Sequence, residues 1–256
     1  GGVAVVAPRH QVTGLGPRAA EDPAAARGRA VVPELAEAGE LLAGLADHLG
    51  RVLRVGDVRE RLAGVLAREL GRLVGAVTNG DGAPVTVMTG GGPGLMEAAN
   101  RGASDAGANT VGLNITLPHE QYPNPYVTPE LCFSFHYFAI RKLHFMNRAR
   151  ALVAFPGGFG TLDEFFESLT LIQTAKIRRF PVVLIGRRYW EGLIRWMEGT
   201  LIDERTIDLE DLNMFYLTDD AEDAVEYILK FHRDSMRTTG ERRKRSPLPP
   251  QESQIT

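Results

Sequence analysis

From Ala151 to Ile172 the chain passes without a break from an apolar run, Ala151–Phe155, through Pro156-Gly157-Gly158-Phe159-Gly160, into an amphipathic run opened by Thr161-Leu162-Asp163-Glu164. A short apolar run, a glycine cluster and then apolar residues at helical spacing spell a strand, a tight turn and a helix start. A unit of this kind must bury both its strand and one face of its helix, which points to a sheet covered by helices. Its turn also aims backbone N–H groups outward, and the helix dipole adds partial positive charge there, so the junction suits an anion. The same junction sets a carboxylate, Glu164, beside that anion site. A phosphate cradle with an acid next to it suggests chemistry on a phosphorylated ligand rather than grip alone.

The surrounding sequence agrees. Strand patterns at Val85–Met88, Val111–Ile115, Leu131–Phe135, Ala151–Phe155 and Val182–Ile185 alternate with helical patterns. The helices are expected at Leu95–Ala106, Tyr137–Arg150, Thr161–Ala175, Tyr189–Glu198 and Asp220–Phe231. This alternation predicts an α/β, Rossmann-like, doubly wound parallel sheet flanked by helices, with ligands bound at the carboxyl ends of its strands. Residues 84–232 form that nucleotide-binding catalytic domain. Residues 1–83, rich in Ala, Gly, Arg and Pro, form an atypical N-terminal segment. In it Val3–Ala7 reads as a strand, Gly14–Ala30 as a loop, and Pro33–Leu49 and Val58–Val74 as helices, with Asn79-Gly80-Asp81-Gly82 a turn signal. Residues 233–256 are basic and poor in apolar side chains, the composition of a disordered tail.

A second glycine cluster, Gly90-Gly91-Gly92-Pro93-Gly94, follows the strand at Val85–Met88. It lacks the Lys and Ser or Thr of a P-loop and is not G-x-G-x-x-G. Some 20 residues on, where a dinucleotide site carries an acid, stands Asn114. A tight turn alone would explain some of these glycines; their number favours a ligand role. Glu164 also has two readings. Thr161-x-x-Glu164 fits a capping box as well as a catalytic acid. Asp163 and Glu167 share the helix and are not expected to be catalytic. Arg141 lies at the margin of the apolar stripe Ile140, Leu143, Met146, either as a surface cation or as a bidentate ligand for phosphate or carboxylate.

Several classes find no support. A net charge of −3 gives no reason to expect nucleic acid as a partner. The single cysteine, Cys132, excludes an internal disulfide and reads as a buried structural thiol, and the histidines show no metal-binding spacing. No metal or cofactor is expected. No apolar run reaches membrane-spanning length and no signal-peptide pattern opens the chain, so a cytoplasmic location without membrane association is expected. No G-x-S-x-G is present to support acyl chemistry.

At Pro156–Glu164, read as P-G-G-x-G-T-x-x-E, and at Gly90-Gly91-Gly92-Pro93-Gly94-Leu95-Met96, the chain resembles the LOG ("lonely guy") family. These are cytokinin riboside 5′-monophosphate phosphoribohydrolases, many of which carry the label lysine decarboxylase. The likeness to the longer bacterial members extends to Leu117-Pro118-His119-Glu120-Gln121, Asn124-Pro125-Tyr126 and Arg141-Lys142, and covers residues 84–232. The resemblance implies a homodimer or larger assembly that hydrolyses the N-glycosidic bond of AMP-like nucleoside 5′-monophosphates. It implies Arg141 and Glu164 as the catalytic pair, and Gly157, Gly158, Gly160 and Thr161 as phosphate ligands. Gly90, Gly91, Gly92 and Gly94 are expected to bind the nucleotide as well. Relatives open with a strand ending in a Gly-Ser turn. Here Val3–Ala7 with Pro8-Arg9-His10, or Val52–Val55 before Gly56-Asp57, stands in its place. The alternative on the same fold is a non-catalytic nucleotide or molybdenum-cofactor carrier, since such carriers also resemble this family.

Overall fold

The computed structural model describes residues 3–8, 55–79, 85–115 and 122–245. The loop at 14–30, the helix at 33–49, the turn after Asn79, the motif at 117–121 and the tail beyond Arg245 lie outside the described residues. Seven strands form one sheet: β1 (Val3–Pro8), β2 (Val85–Thr89), β3 (Thr110–Ile115), β4 (Cys132–Phe135), β5 (Ala151–Ala154), β6 (Val182–Ile185) and β7 (Phe215–Thr218), in the order β4-β3-β2-β1-β5-β6-β7. The helices are α1 (Val55–Asn79), α2 (Leu95–Asp105), α3 (Phe138–Arg148), α4 (Phe159–Gln173), α5 (Arg187–Trp196) and α6 (Ala221–Arg245).

Strand periodicity divides the core. In β5 and β6, Ala151, Val153, Val183 and Ile185 face α1, α2 and α6, where they meet Leu70, Val74, Ala103 and Ile228. Their neighbours Leu152, Ala154, Val182 and Leu184 face α3, α4 and α5, where they meet Phe145, Phe165 and Trp190. Successive strand side chains point to opposite faces, so a strand apolar at every position must be covered on both. Helices α1 and α2 press together through glycine. A methyl group on Gly71 would overlap the Ala99 carbonyl, and one on Gly102 would overlap that of Arg68.

The α/β sheet flanked by helices is the fold expected, with one departure inside it. Strand β1 runs antiparallel to both β2 and β5, while every other pairing is parallel. A short βαβ crossover would enforce a parallel strand. The long connection of residues 9–54 between β1 and α1 imposes no such direction. One consequence concerns the proposed substitutes for the Gly-Ser turn. Pro8 pairs with Val85, at the start of β2, so β1 ends at the edge opposite the glycine loops, and Arg9-His10 lie outside the described residues. Val55, the other possible strand end, opens helix α1 instead.

Two further differences concern boundaries. Strand β7 was not expected, although Met214–Leu217 is apolar. Helix α6 continues beyond Phe231, so residues 233–245, assigned to a tail, are helical. Its Glu, Arg, Lys and Met residues are good helix formers without an apolar face, and helix propensity does not depend on burial.

The chain moves outward from β2 through β3 to β4, crosses back through α3 to β5, and then moves outward the other way through β6 to β7. Winding therefore reverses around β1. The carboxyl ends of β2 and β5 flank that switch point, where open α/β sheets bind ligands. Both glycine clusters leave the sheet there.

Candidate active site

The loop after β5 turns directly into α4. Its helix begins at Phe159, two residues earlier than the sequence suggested, with Gly158 as the N-cap and no side-chain cap. Thr161 therefore lies inside the first turn, and its backbone N–H donates to the Gly158 carbonyl at 3.0 Å. That geometry removes the capping-box reading, because the Thr is not at the cap and the Glu does not reach back to it. A Cβ added at Gly158 or Gly160 would meet nothing within 4 Å. Space over the loop is open at Gly158 and Gly160, at the N-terminal end of α4, where the helix dipole favours an anion. The Tyr189 hydroxyl of α5 donates to the Gly157 carbonyl and braces the loop from behind. Trp190, fully buried beside it, donates from its indole nitrogen to Ile185 O at 3.1 Å and anchors α5 to the sheet.

Glu164 lies one turn into α4, only 8% exposed. Its Oε2 is buried and accepts no hydrogen bond among the described residues. Burial, then the charge of Glu167, push its carboxyl up to about 7, against the opposing pull of Arg141 and Lys142. A buried carboxyl oxygen without a donor is costly to ionise. The site holds an acid that gives up its proton near neutrality.

Arg141 enters from α3. Its Nε donates to the Leu113 carbonyl of β3 at 2.7 Å, and its guanidinium lies 5.2 Å from the centre of the Phe145 ring. Burial lowers its affinity for the proton, and the charge of Glu164 works in the other direction. In both members of the pair burial outweighs the attraction of the other's charge. The guanidinium also rests on the first glycine loop. A Cβ at Gly90 would come 2.5 Å from Arg141 Nη2 and 2.8 Å from Met96 Sδ. Glycine at position 90 is what lets the cation reach over the loop.

The first loop is held by polar groups that the sequence left unassigned. Asn124 N donates to Gly91 O at 2.8 Å, and Asn124 Nδ2 donates to Gly92 O at 3.1 Å and to Asn100 Oδ1 at 3.0 Å. Thr89 Oγ1 donates to the same Asn100 oxygen at 2.7 Å and accepts from Gly91 N at 3.0 Å. Gly91 has φ 73°, a left-handed conformation that favours glycine. Gly90, Gly91 and Gly92 are buried, whereas Gly94 is exposed and caps α2. The loops, Arg141 and Glu164 converge on one edge. Within that edge the second loop is open to an anion, while much of the first is packed wall.

Glu167, not expected to be catalytic, and Lys142, part of the family likeness, prove to be partners. They face each other across α3 and α4, with Lys142 Nζ 3.3 Å from Glu167 Oε2 and 2.9 Å from Asp163 Oδ1. The i, i+4 spacing of Asp163 and Glu167 on α4 is the sequence signal for a shared cation. His144 packs against Phe135, with ring centroids 5.2 Å apart. Cys132 is half-buried, and burial pushes its thiol up, away from reactivity. Among the described residues no cluster of His, Cys, Asp or Glu could hold a metal ion, and no helix is long and apolar enough to cross a membrane.

A family model described as possible lysine decarboxylase matches residues 96–228. A protein of Oryza sativa subsp. japonica, named a probable cytokinin riboside 5′-monophosphate phosphoribohydrolase, is 29% identical over 138 residues, which cover 53% of this chain and 58% of that one. A second rice protein of the same name is 31% identical over 115 residues, covering 44% and 45%. The chain thus aligns with about half the length of these curated relatives. Among solved structures, a molybdenum cofactor binding protein from the phototrophic bacterium Rippkaea orientalis superposes with a TM-score of 0.49 at 20% identity, over 66% of this chain and 87% of that one.

Proposed function

The chain belongs to the family described as possible lysine decarboxylase, and from that premise we propose that it is a hydrolase of the N-glycosidic bond in AMP-like nucleoside 5′-monophosphates. The observation that carries this reading is the Glu164 carboxyl, buried with a bare Oε2, beside Arg141 and behind an open helix N-terminus. In this reading Gly157, Gly158, Gly160 and Thr161 hold the 5′-phosphate, and the wall formed by Gly90–Gly94 bounds the nucleotide. Anchoring the phosphate fixes the ribose close to Glu164. As the C1′–N bond breaks, its electron pair leaves with the base and the ribose becomes oxocarbenium-like. The Glu164 carboxylate stabilises that positive charge and then accepts a proton from the water that attacks C1′. The base takes up a proton, and the products are free base and ribose 5-phosphate. An acid that ionises near 7 is matched to this task at neutral pH. Arg141 holds the carboxylate and, from its seat on Gly90, contacts the substrate.

A carrier on the same fold needs the anion cradle but not the acid. A carboxylate beside a bound phosphate weakens binding, so its presence favours the hydrolase. The exposed side chains Phe138, Ile140 and Leu143 on α3, with Tyr137 at its N-cap, support a homodimer or larger assembly through that helix. The test is to incubate the protein with AMP and with isopentenyladenosine monophosphate and to assay free base and ribose 5-phosphate. Release by wild type and its loss in Glu164→Gln is expected. No base from either nucleotide, with nucleotide binding intact, would overturn the hydrolase. A pterin absorbance in the purified protein would favour the carrier instead.

A further inference from the structure

We propose that Lys142 is a positioning residue for Glu164: it gathers the flanking carboxylates Asp163 and Glu167 and thereby shields Glu164 from their charge, leaving Arg141 for Glu164 and the ligand. The proposal rests on the hydrolase reading for its catalytic meaning, but not for its geometry.

Helix α3 presents consecutive cations, Arg141 and Lys142, to a helix that carries Asp163, Glu164 and Glu167. Asp163 and Glu167 are four residues apart and share a face; Glu164 and Glu167 are three apart and are also neighbours on the helix surface. Lys142 Nζ reaches both flanking carboxylates, at 2.9 Å and 3.3 Å, and its side chain is only 21% exposed. Glu167 Oε2 is buried and accepts no well-formed hydrogen bond among the described residues, so the ammonium at 3.3 Å is its compensating charge. The charged groups that bear on Glu164 are Arg141 and Lys142 from α3, and Glu167 and Asp163 from its own helix. The two kinds act in opposite senses. Glu167 and Asp163 hold the proton on Glu164, while Arg141 and Lys142 release it. An ion pair that merely clipped two helices together would contribute little and would leave Glu164 unaffected.

The experiment reads Glu164 directly. Protein carrying 13C-carboxyl glutamate is titrated by NMR at fixed ionic strength, with Glu164→Gln assigning the resonance. In Lys142→Met the Glu164 midpoint is expected to move to higher pH, because a cation is lost and Glu167 is unmasked. In Glu167→Gln it is expected to move to lower pH, and Lys142→Arg should stay near wild type. A midpoint unmoved in Lys142→Met, or moving the same way in Lys142→Met and Glu167→Gln, overturns the proposal. If Lys142→Met does not fold, Lys142→Gln takes its place, and a midpoint that fails to rise in it refutes the proposal. The titration needs no turnover, so its outcome stands whether or not nucleotide hydrolysis is found. In an active protein the acid limb of kcat/KM should follow the same opposite shifts.

Discussion

Replacing Glu164 by Gln should make the protein more stable, and increasingly so as pH rises. The native carboxyl holds its proton up to about 7, whereas its ordinary value is 4.5. Between those values the native state binds the proton that the unfolded chain has released. The stability contributed by the protonated form is complete below about 4.5 and is lost as pH rises through 7. The gap corresponds to roughly 3 kcal/mol at ~1.4 kcal/mol per pH unit. Gln has the same shape and no charge to bury, so other carboxylates titrate alike in both proteins and cancel in the comparison. Urea unfolding of wild type and Glu164→Gln, followed by circular dichroism at intervals from pH 5 to 9, measures the difference. It should be small at pH 5 and reach about 2–3 kcal/mol at pH 8–9, or roughly 4–12 °C in Tm for a domain of this size. A difference that does not grow with pH, or a Gln variant that is the less stable at pH 8, would refute the argument that this carboxylate is ionised against its surroundings.

Activity should show the opposite dependence on the same group: kcat/KM for AMP is expected to fall about tenfold per pH unit below an inflection near 7, as the carboxylate is protonated. Arg141→Ala should lower kcat by roughly 100-fold or more while the protein stays folded, since it removes the cation that faces both Glu164 and the substrate; single-turnover assays measure it. Gly90→Ala places a methyl group against Arg141 Nη2 and Met96 Sδ, both flexible side-chain ends, so kcat should drop with little change in Tm. Gly102→Ala instead drives a methyl group into the backbone of α1, and should cost about 1–3 kcal/mol or more of stability in urea titrations.

Much of this was legible in the residues because the signals were local. Apolar runs and glycine clusters gave β2, β3, β5 and β6, and helices α2, α4 and α5, to within a few residues. The first turn of α4 was not legible. Thr161-x-x-Glu164 fits a capping box equally well, and only the helix start at Phe159 decides between the readings. The direction of β1 follows from its pairing with β2 and β5, which are distant in sequence, so no pattern within Val3–Pro8 could encode it. Strand β7 matches β5 and β6 in length, but it is an edge strand, only partly buried, and its apolar run Met214–Leu217 has none of the β-branched residues that mark Val182–Ile185. The support for the first glycine loop comes from Asn124 and Asn100, residues whose role appears only once chain positions far apart meet. The pairing of Lys142 with Asp163 and Glu167 was not legible because sequence does not reveal which charges are half-buried.

The reversed β1 also has a practical consequence. Val3 pairs with Ala154, at the edge that carries both glycine loops, and the strand then runs away from them toward Pro8. A peptide fused ahead of Val3 therefore starts from the edge where both glycine loops lie, beside the proposed site. A purification tag at that end would compete with ligand for the entrance, and a basic one would offer its own charge to the phosphate. Protein tagged at the other terminus, or with the N-terminal tag removed, is the proper subject for every binding and turnover measurement proposed above.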